Sequence, residues 1–238
     1  MWIIDYLKSV GLIFSLEIIT VITGLYFLFT RKVSKTIKLY IYLISATLLV
    51  EILALYTAVA YFSDYKYFSI VEGTRFAANF WMYNIFEIVT IVFLLYYFGR
   101  LLTSKGYKKL LLGFGSVFVL SSIIVFIIND DAFFSQVSAF VTITGAFLLL
   151  ISIGFYLVEL LQGKIILKGQ NRFPLFVAVG VGISYLASLP FLIYSNNYHS
   201  SGDQDFIDLY IRGLQIINII VYLILINGFF ICLSKKNS

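Results

Sequence analysis

Three glutamates stand inside long runs of Leu, Ile, Val and Phe: Glu17, Glu51 and Glu87. A charged group at the centre of a bilayer costs about 2.5–3.5 kcal/mol on insertion scales, so each must face protein or an enclosed wet space rather than lipid. Around the third acid, Asn79, Tyr83, Glu87 and Thr90 follow at steps of four, four and three, which in a helix makes one polar stripe. Asn84 adjoins Tyr83 in the same run, and Thr47 stands one turn before Glu51. Nearer the C-terminus, Arg212, Gln215, Asn218 and Tyr222 share a broad helical face. Intramembrane acids set among amides and phenols suit the handling of a proton or cation, or recognition of a cationic or hydrogen-bonding ligand. They suit equally a bundle held together by protonated carboxyls bonded to Tyr, Asn and Thr of adjacent helices. Three like charges at one height would repel, so at least one is expected to hold a proton at neutral pH. Arg212 has an inward reading, toward the acids, and a favoured outward one, toward Asp208 four residues earlier. Gln215 and Asn218 either complete a pocket or serve as interhelical amide glue.

The elements that must carry these groups follow from composition. At 61% hydrophobic and 12% charged residues over 238 positions, the chain is far more apolar than a soluble domain, in which roughly half is apolar and a quarter charged. It reads as an all-α, polytopic membrane protein in one domain over residues 1–238. The first span is expected from about Lys8 to Thr30, a retained helix rather than a cleaved leader, since no basic start precedes it. The second runs from about Leu39 to Phe62, the third opens near Phe76 and leaves at Arg100, and the fourth covers about Leu110 to Ile128. The fourth carries no ionisable group and is expected to face lipid. The fifth runs from about Val137 to Leu161, with Glu159 at its end beside Lys164, Lys168 and Arg172. The sixth begins at about Pro174, where Ala178 and Gly182, and separately Gly180, Ser184 and Ser188, allow a neighbour to approach, and Pro190 should kink its far end. A polar loop from Ser195 to Phe206 leads to the seventh span, about Ile207 to Leu233.

Basic and acidic connections alternate along the chain, and 13 of the 17 Lys and Arg fall on the loops after spans one, three and five and on the C-terminal tail. The positive-inside rule then places those loops and the C-terminus in the cytoplasm and the N-terminus outside. The formal charge of +5 is thereby explained by topology, and no nucleic-acid partner is expected. The partners expected are the lipid bilayer, a small ligand or proton, and a membrane or cytoplasmic signalling protein.

Enzymatic chemistry finds little support. One Cys, Cys232, excludes an internal disulfide, and one His, His199, leaves no cluster of soft metal ligands. The run Gly113-Phe114-Gly115-Ser116 has the spacing of a nucleophile turn without a histidine in any span to activate the serine. No Asp sits deep in a span, which argues against an intramembrane aspartyl protease. No Lys lies within span seven to form a retinal Schiff base, Lys235 and Lys236 coming after it, and no cofactor is expected. Spans two and six end alike, in Tyr61-Phe62-Ser63-Asp64-Tyr65 and Ile193-Tyr194-Ser195-Asn196-Asn197-Tyr198, and with span four as connector this is compatible with two parallel three-helix units. That 3+1+3 plan resembles the small sugar transporters, although their Pro-Gln pair is absent.

Three stretches carry a further resemblance: Leu48-Leu49-Val50-Glu51-Ile52-Leu53-Ala54, Tyr83-Asn84-Ile85-Phe86-Glu87-Ile88 and Asn218-Ile219-Ile220-Val221-Tyr222. In them the chain resembles a family of uncharacterised seven-helix membrane proteins of Bacteroidetes. The resemblance implies a seven-helix architecture with an acid-lined core in a bacterial inner membrane. Members often carry a His near the position of Tyr83, and this chain has none there. The function expected is a non-enzymatic, receptor-like or sensory module with a pocket between spans one, two, three and seven, lined by Glu17, Glu51, Tyr83, Asn84, Glu87, Gln215, Asn218 and Arg212. Its output would pass to a separate partner, the loops being too short for a catalytic domain. The alternatives are a small proton-coupled secondary transporter and a structural or assembly subunit of a membrane complex.

Overall fold

Hydrocarbon offers no water to backbone N–H and C=O groups, so an apolar run that crosses it must bond within itself, as a helix. The computed structural model describes residues 2–165, 169–198 and 204–233, with side chains over 11–165, 171–190 and 211–232. It contains α1 (Trp2–Thr30), α2 (Lys35–Phe62), α3 (Phe80–Leu101), α4 (Lys105–Ile128), α5 (Asp130–Ser135), α6 (Ala139–Leu161), α7 (Phe173–Tyr198) and α8 (Gln204–Leu233). No strand occurs among the described residues. All but the six-residue α5 are long and apolar enough to cross a membrane, and the protein is a seven-helix, multi-pass membrane protein. Large apolar side chains stand exposed along every span, with Phe29 at 82%, Ile127 at 73% and Leu161 at 87%. Water penalises a surface of that extent, whereas lipid tails do not.

Where helices begin departs from the expected boundaries for an identifiable reason. The second span starts at Lys35 rather than Leu39, and the fourth at Lys105 rather than Leu110. In each case a serine caps the first turn: Ser34 Oγ accepts from the Ile37 N–H at 3.4 Å, and Ser104 Oγ from the Tyr107 N–H at 3.5 Å. Ser138 does the same for Val141 at 3.4 Å, just before α6. A serine at this position satisfies one of the orphan N–H groups of a helix start. Lysines that read as loop therefore ride on the first turns of α2 and α4. The third span starts later than expected, at Phe80. Thr74 caps a single 3-10 turn, Arg75–Ala77, and Ala78 is then extended (φ −108°, ψ 158°), so the helix cannot continue back to Phe76. Asn79 consequently precedes α3, and the polar stripe begins at Tyr83. Glu87 then lies about 10 Å along the axis from the first residue of α3, nearer the helix start than the apolar run suggests. The α7 helix passes through Pro190, while His199 lies outside the described residues.

The helices group into two compact units, one of residues 3–44 with 153–238 and one of residues 45–152. This grouping does not follow the two three-helix halves of a 3+1+3 plan, because α1 falls in the same unit as α7 and α8. In the first unit, glycines set the distance of approach. A methyl on Gly24 would stand 3.2 Å from Phe229 Cζ and 3.3 Å from Ile41 Cγ1. Phe229 stacks on Phe173 at 4.6 Å, and Phe173 meets the edge of Tyr40 at 5.8 Å. Gly180 faces α8, with Val221 3.7 Å from an added methyl, in keeping with its expected role. In the second unit Gly145 lies directly against Ile91, which is fully buried. Of the seven spans, α4 has the smallest buried share, in line with the absence of ionisable groups from Leu110 to Ile128.

Gly228 is the most constrained of these contacts to alter, since an added methyl would come 2.9 Å from both Cβ and Cγ of Phe176, atoms fixed close to the α7 backbone. Gly228→Ala should lower unfolding free energy in detergent by about 1–3 kcal/mol through overpacking. Gly113→Ala, whose methyl meets nothing within 4 Å, should leave the unfolding midpoint unchanged or raise it.

Candidate functional site

In a helix without water, a small polar side chain most readily bonds a carbonyl one turn back along its own backbone. Most polar groups of the spans do so: Thr20 to Leu16 at 2.7 Å, Thr144 to Phe140 at 2.5 Å, Ser152 to Leu149 at 2.7 Å. Asn218 belongs with them, its Nδ2 donating to the Leu214 carbonyl at 2.9 Å. One hydrogen of its amide is thus turned along α8. Arg212 is exposed rather than turned into a core, and Gln215 is half-buried. The side chain of Asp208, the expected outward partner of Arg212, lies outside the described residues. Ser116 donates to Leu112 at 2.9 Å in the middle of α4, so Gly113 to Ser116 form an ordinary helical turn and no nucleophile turn.

Two acids of the first unit are buried. Glu17 is 4% exposed, as the cost of placing it against lipid demands. Glu159, expected among the cations at the end of a span, is fully enclosed at 0%. It keeps its expected place in the last turn of α6 and is sheltered there by protein.

In the second unit, a set of side chains bonds across helices around the first turns of α3. Tyr83 donates its phenolic O–H to Glu51 Oε2 at 2.9 Å, joining α3 to the middle of α2. Asn84, next in sequence, is about 100° further round the helix and looks elsewhere. Its Nδ2 donates to the carbonyls of Phe133 and Gln136, both at 2.9 Å, and its Oδ1 accepts from the Ser138 N–H at 2.9 Å. This buried amide, 1% exposed, therefore has both donor hydrogens and its oxygen engaged by the backbone between α5 and α6. Asn84 thereby clamps the segment between α5 and α6 to α3. Asn79 Nδ2 bonds the Ala54 carbonyl at 3.2 Å. The Tyr56 hydroxyl donates to the Phe76 carbonyl at 2.7 Å and accepts from Trp81 Nε1 at 3.2 Å. Arg75 pairs with Asp130, and its second nitrogen lies 3.6 Å from Asp131. The guanidinium also lies over the Phe134 ring at 5.6 Å, so the start of α3 is held from α2 and α5 together.

Glu87 is half-buried on the same helix. Three residues on, Thr90 Oγ1 is buried and makes no hydrogen bond among the described residues. Of the predicted constellation, the structure thus brings Glu51 and Tyr83 into contact, assigns Asn84 to the fold, and places Glu87 on the helix that carries both Tyr83 and Asn84. A cleft of about 710 Å³ between α3, α4 and α5 is lined by Ile85, Ile88, Val89, Ile123, Phe126, Ile127, Asp130, Phe133 and Phe134. It is apolar apart from Asp130 and includes neither Glu51, Tyr83 nor Glu87. No group of three or more metal-ligating side chains occurs among the described residues. The chemistry available is that of a carboxyl group held by a phenol within a membrane span, able to exchange a proton or receive a cation. Set against protein-family models, curated proteins and solved structures, the chain matches none.

Asn84→Ala should strand two carbonyls and one N–H, each costing about 1–3 kcal/mol where buried. Its unfolding midpoint should therefore fall well below that of Asn218→Ala, which frees only a carbonyl already bonded within its own helix. Chemical denaturation of the two variants in one detergent measures the difference.

Proposed function

We propose that this protein is a receptor-like, sensory membrane module whose responsive element is the Glu51–Tyr83 hydrogen bond. The observation that carries this reading is the adjacency of Tyr83 and Asn84 on α3. One holds the intramembrane carboxyl group and the other holds the connection between α5 and α6. A proton, a small cation or a hydrogen-bonding ligand that competes for Glu51 changes the pull on Tyr83, and a rotation of α3 by a few degrees moves Asn84 with it. Glu17, Arg212, Gln215 and Asn218 belong to the other unit, and this reading does not require them. Output passes to a separate membrane or cytoplasmic partner. The alternation of basic and acidic loops supports an N-terminus outside and a cytoplasmic C-terminus, and the resemblance to the Bacteroidetes family supports a bacterial inner membrane. A second reading, a small proton-coupled transporter, draws on buried acids in both units, Glu17 and Glu159 in one and the half-buried Glu51 and Glu87 in the other.

Infrared difference spectra of the purified protein in liposomes, taken between acidic and alkaline buffer, test the two together. The sensory reading predicts a carboxyl C=O band that disappears in Glu51→Gln and moves in Tyr83→Phe, with a lumenal pH dye reporting no proton flux above empty liposomes. Flux through the wild-type protein that is lost in Glu87→Gln replaces the sensor with the transporter.

A further inference from the structure

We propose that α3 and α4 bind an anionic phospholipid of the surrounding bilayer, its acyl chain lying in the groove between them and its phosphate on Arg100 and Lys108. The site is separate from Glu51 and Tyr83 and does not depend on the sensory reading. A groove of about 840 Å³ runs between the C-terminal half of α3 and the N-terminal half of α4, a volume within the roughly 300–1,000 Å³ of small-molecule sites. Its floor is partly bare backbone: Gly99 lines it, and a methyl added there would meet nothing within 4 Å. Its walls include Leu112 and Leu120, exposed at 73% and 62%, so the groove opens sideways toward lipid. An apolar trough with that opening fits a hydrocarbon chain arriving from the bilayer.

The charges at one end identify the head group. Arg100 is the penultimate residue of α3 and Lys108 stands in the first turn of α4, so both lie where the spans leave the hydrocarbon and lipid phosphates sit. Arg100 Nη1 donates to the Tyr96 hydroxyl at 3.0 Å, and its charge lies 5.7 Å from the centre of that ring. The guanidinium is thus held at the mouth of the groove with donors remaining. Neither Arg100 nor Lys108 forms an ion pair among the described residues. Lys105 and Lys109 add to the field, and no Asp or Glu occurs between Glu87 and Asp130. Two cations and no carboxylate among the lining residues of an apolar groove complement a molecule with one anionic end and one apolar end. Basic pockets between transmembrane helices bind acidic lipid head groups in this manner. A free phosphate would leave the groove empty, and a zwitterionic lipid would bring its own cation against the lysines.

The full-length protein, delipidated in detergent and titrated with dioleoyl phosphatidylglycerol or dioleoyl phosphatidylcholine, allows bound lipid to be counted by native mass spectrometry. One phosphatidylglycerol should be retained under activation that strips phosphatidylcholine. Arg100→Gln with Lys108→Gln should weaken retention by about thirtyfold, and Arg100→Lys with Lys108→Arg should restore it. Gly99→Leu fills the groove without touching a charge and, having open space for its side chain, should fold yet lose the lipid. The proposal is overturned if both lipids are retained alike, if Gly99→Leu binds phosphatidylglycerol as the wild type does, or if inorganic phosphate at millimolar concentration displaces the lipid.

Discussion

Every polar group of a spanning segment has to find its partner without water, and that constraint orders the molecule. Serines and threonines meet it on their own helices, as Thr20, Thr144 and Ser152 do. Self-satisfaction of this kind stabilises each helix but ties no two of them together. Helices are joined instead by close packing at glycine, as at Gly24, Gly145 and Gly228, and by a small set of side chains long enough to reach across. Several of those side chains meet where α2, α3 and α5 come together, and α3 carries Trp81, Tyr83 and Asn84 among them.

This makes α3 a strut with different attachments on different sides. Tyr83 reaches an acid in α2, while Asn84 reaches the backbone that turns α5 into α6. Before the helix, the 3-10 turn at Arg75 and the extended Ala78 let Asn79, Trp81 and Phe76 bond or pack around the end of α2. Hydrogen bonds in a low-dielectric setting are strong and costly to break, so the N-terminal turns of α3 are held in position from two directions. In the proposed sensory reading, a change of protonation or ligation at Glu51 acts through Tyr83 on a helix that Asn84 also holds.

Much of this architecture was legible in the chain. Seven spans followed from hydropathy, and a Glu flanked by apolar residues had to be sheltered, as Glu17 is. The polar stripe through Tyr83 had to face other helices, and Tyr83 does bond Glu51 of α2. Other features were hidden for physical reasons. Asn84 sits off the stripe, and its three backbone partners lie about fifty residues away, so no local period marks it. Asn218 had two ways to satisfy its amide, a neighbouring helix or its own, and sequence does not choose between them. Lysines at the start of α4 looked like loop because charge outweighed the quieter signal of Ser104, whose cap begins the helix at Lys105, well before the first Leu at Leu110. Glu159 stands at the end of its span as expected, and its full enclosure depends on packing that its place near Lys164 in the chain does not reveal.

The coupling of Glu51 to Asn84 through α3 is tested most directly by hydrogen exchange at the Ser138 amide, which donates to Asn84 Oδ1. In nanodiscs, Tyr83→Phe and Glu51→Gln should each accelerate exchange at Ser138 and through the neighbouring segment 133–138, while Asn218→Ala, in the other unit, should not. Unchanged protection at Ser138 in both Glu51 and Tyr83 variants would show that the two attachments of α3 act independently, and the account of this helix as a coupling element would be wrong.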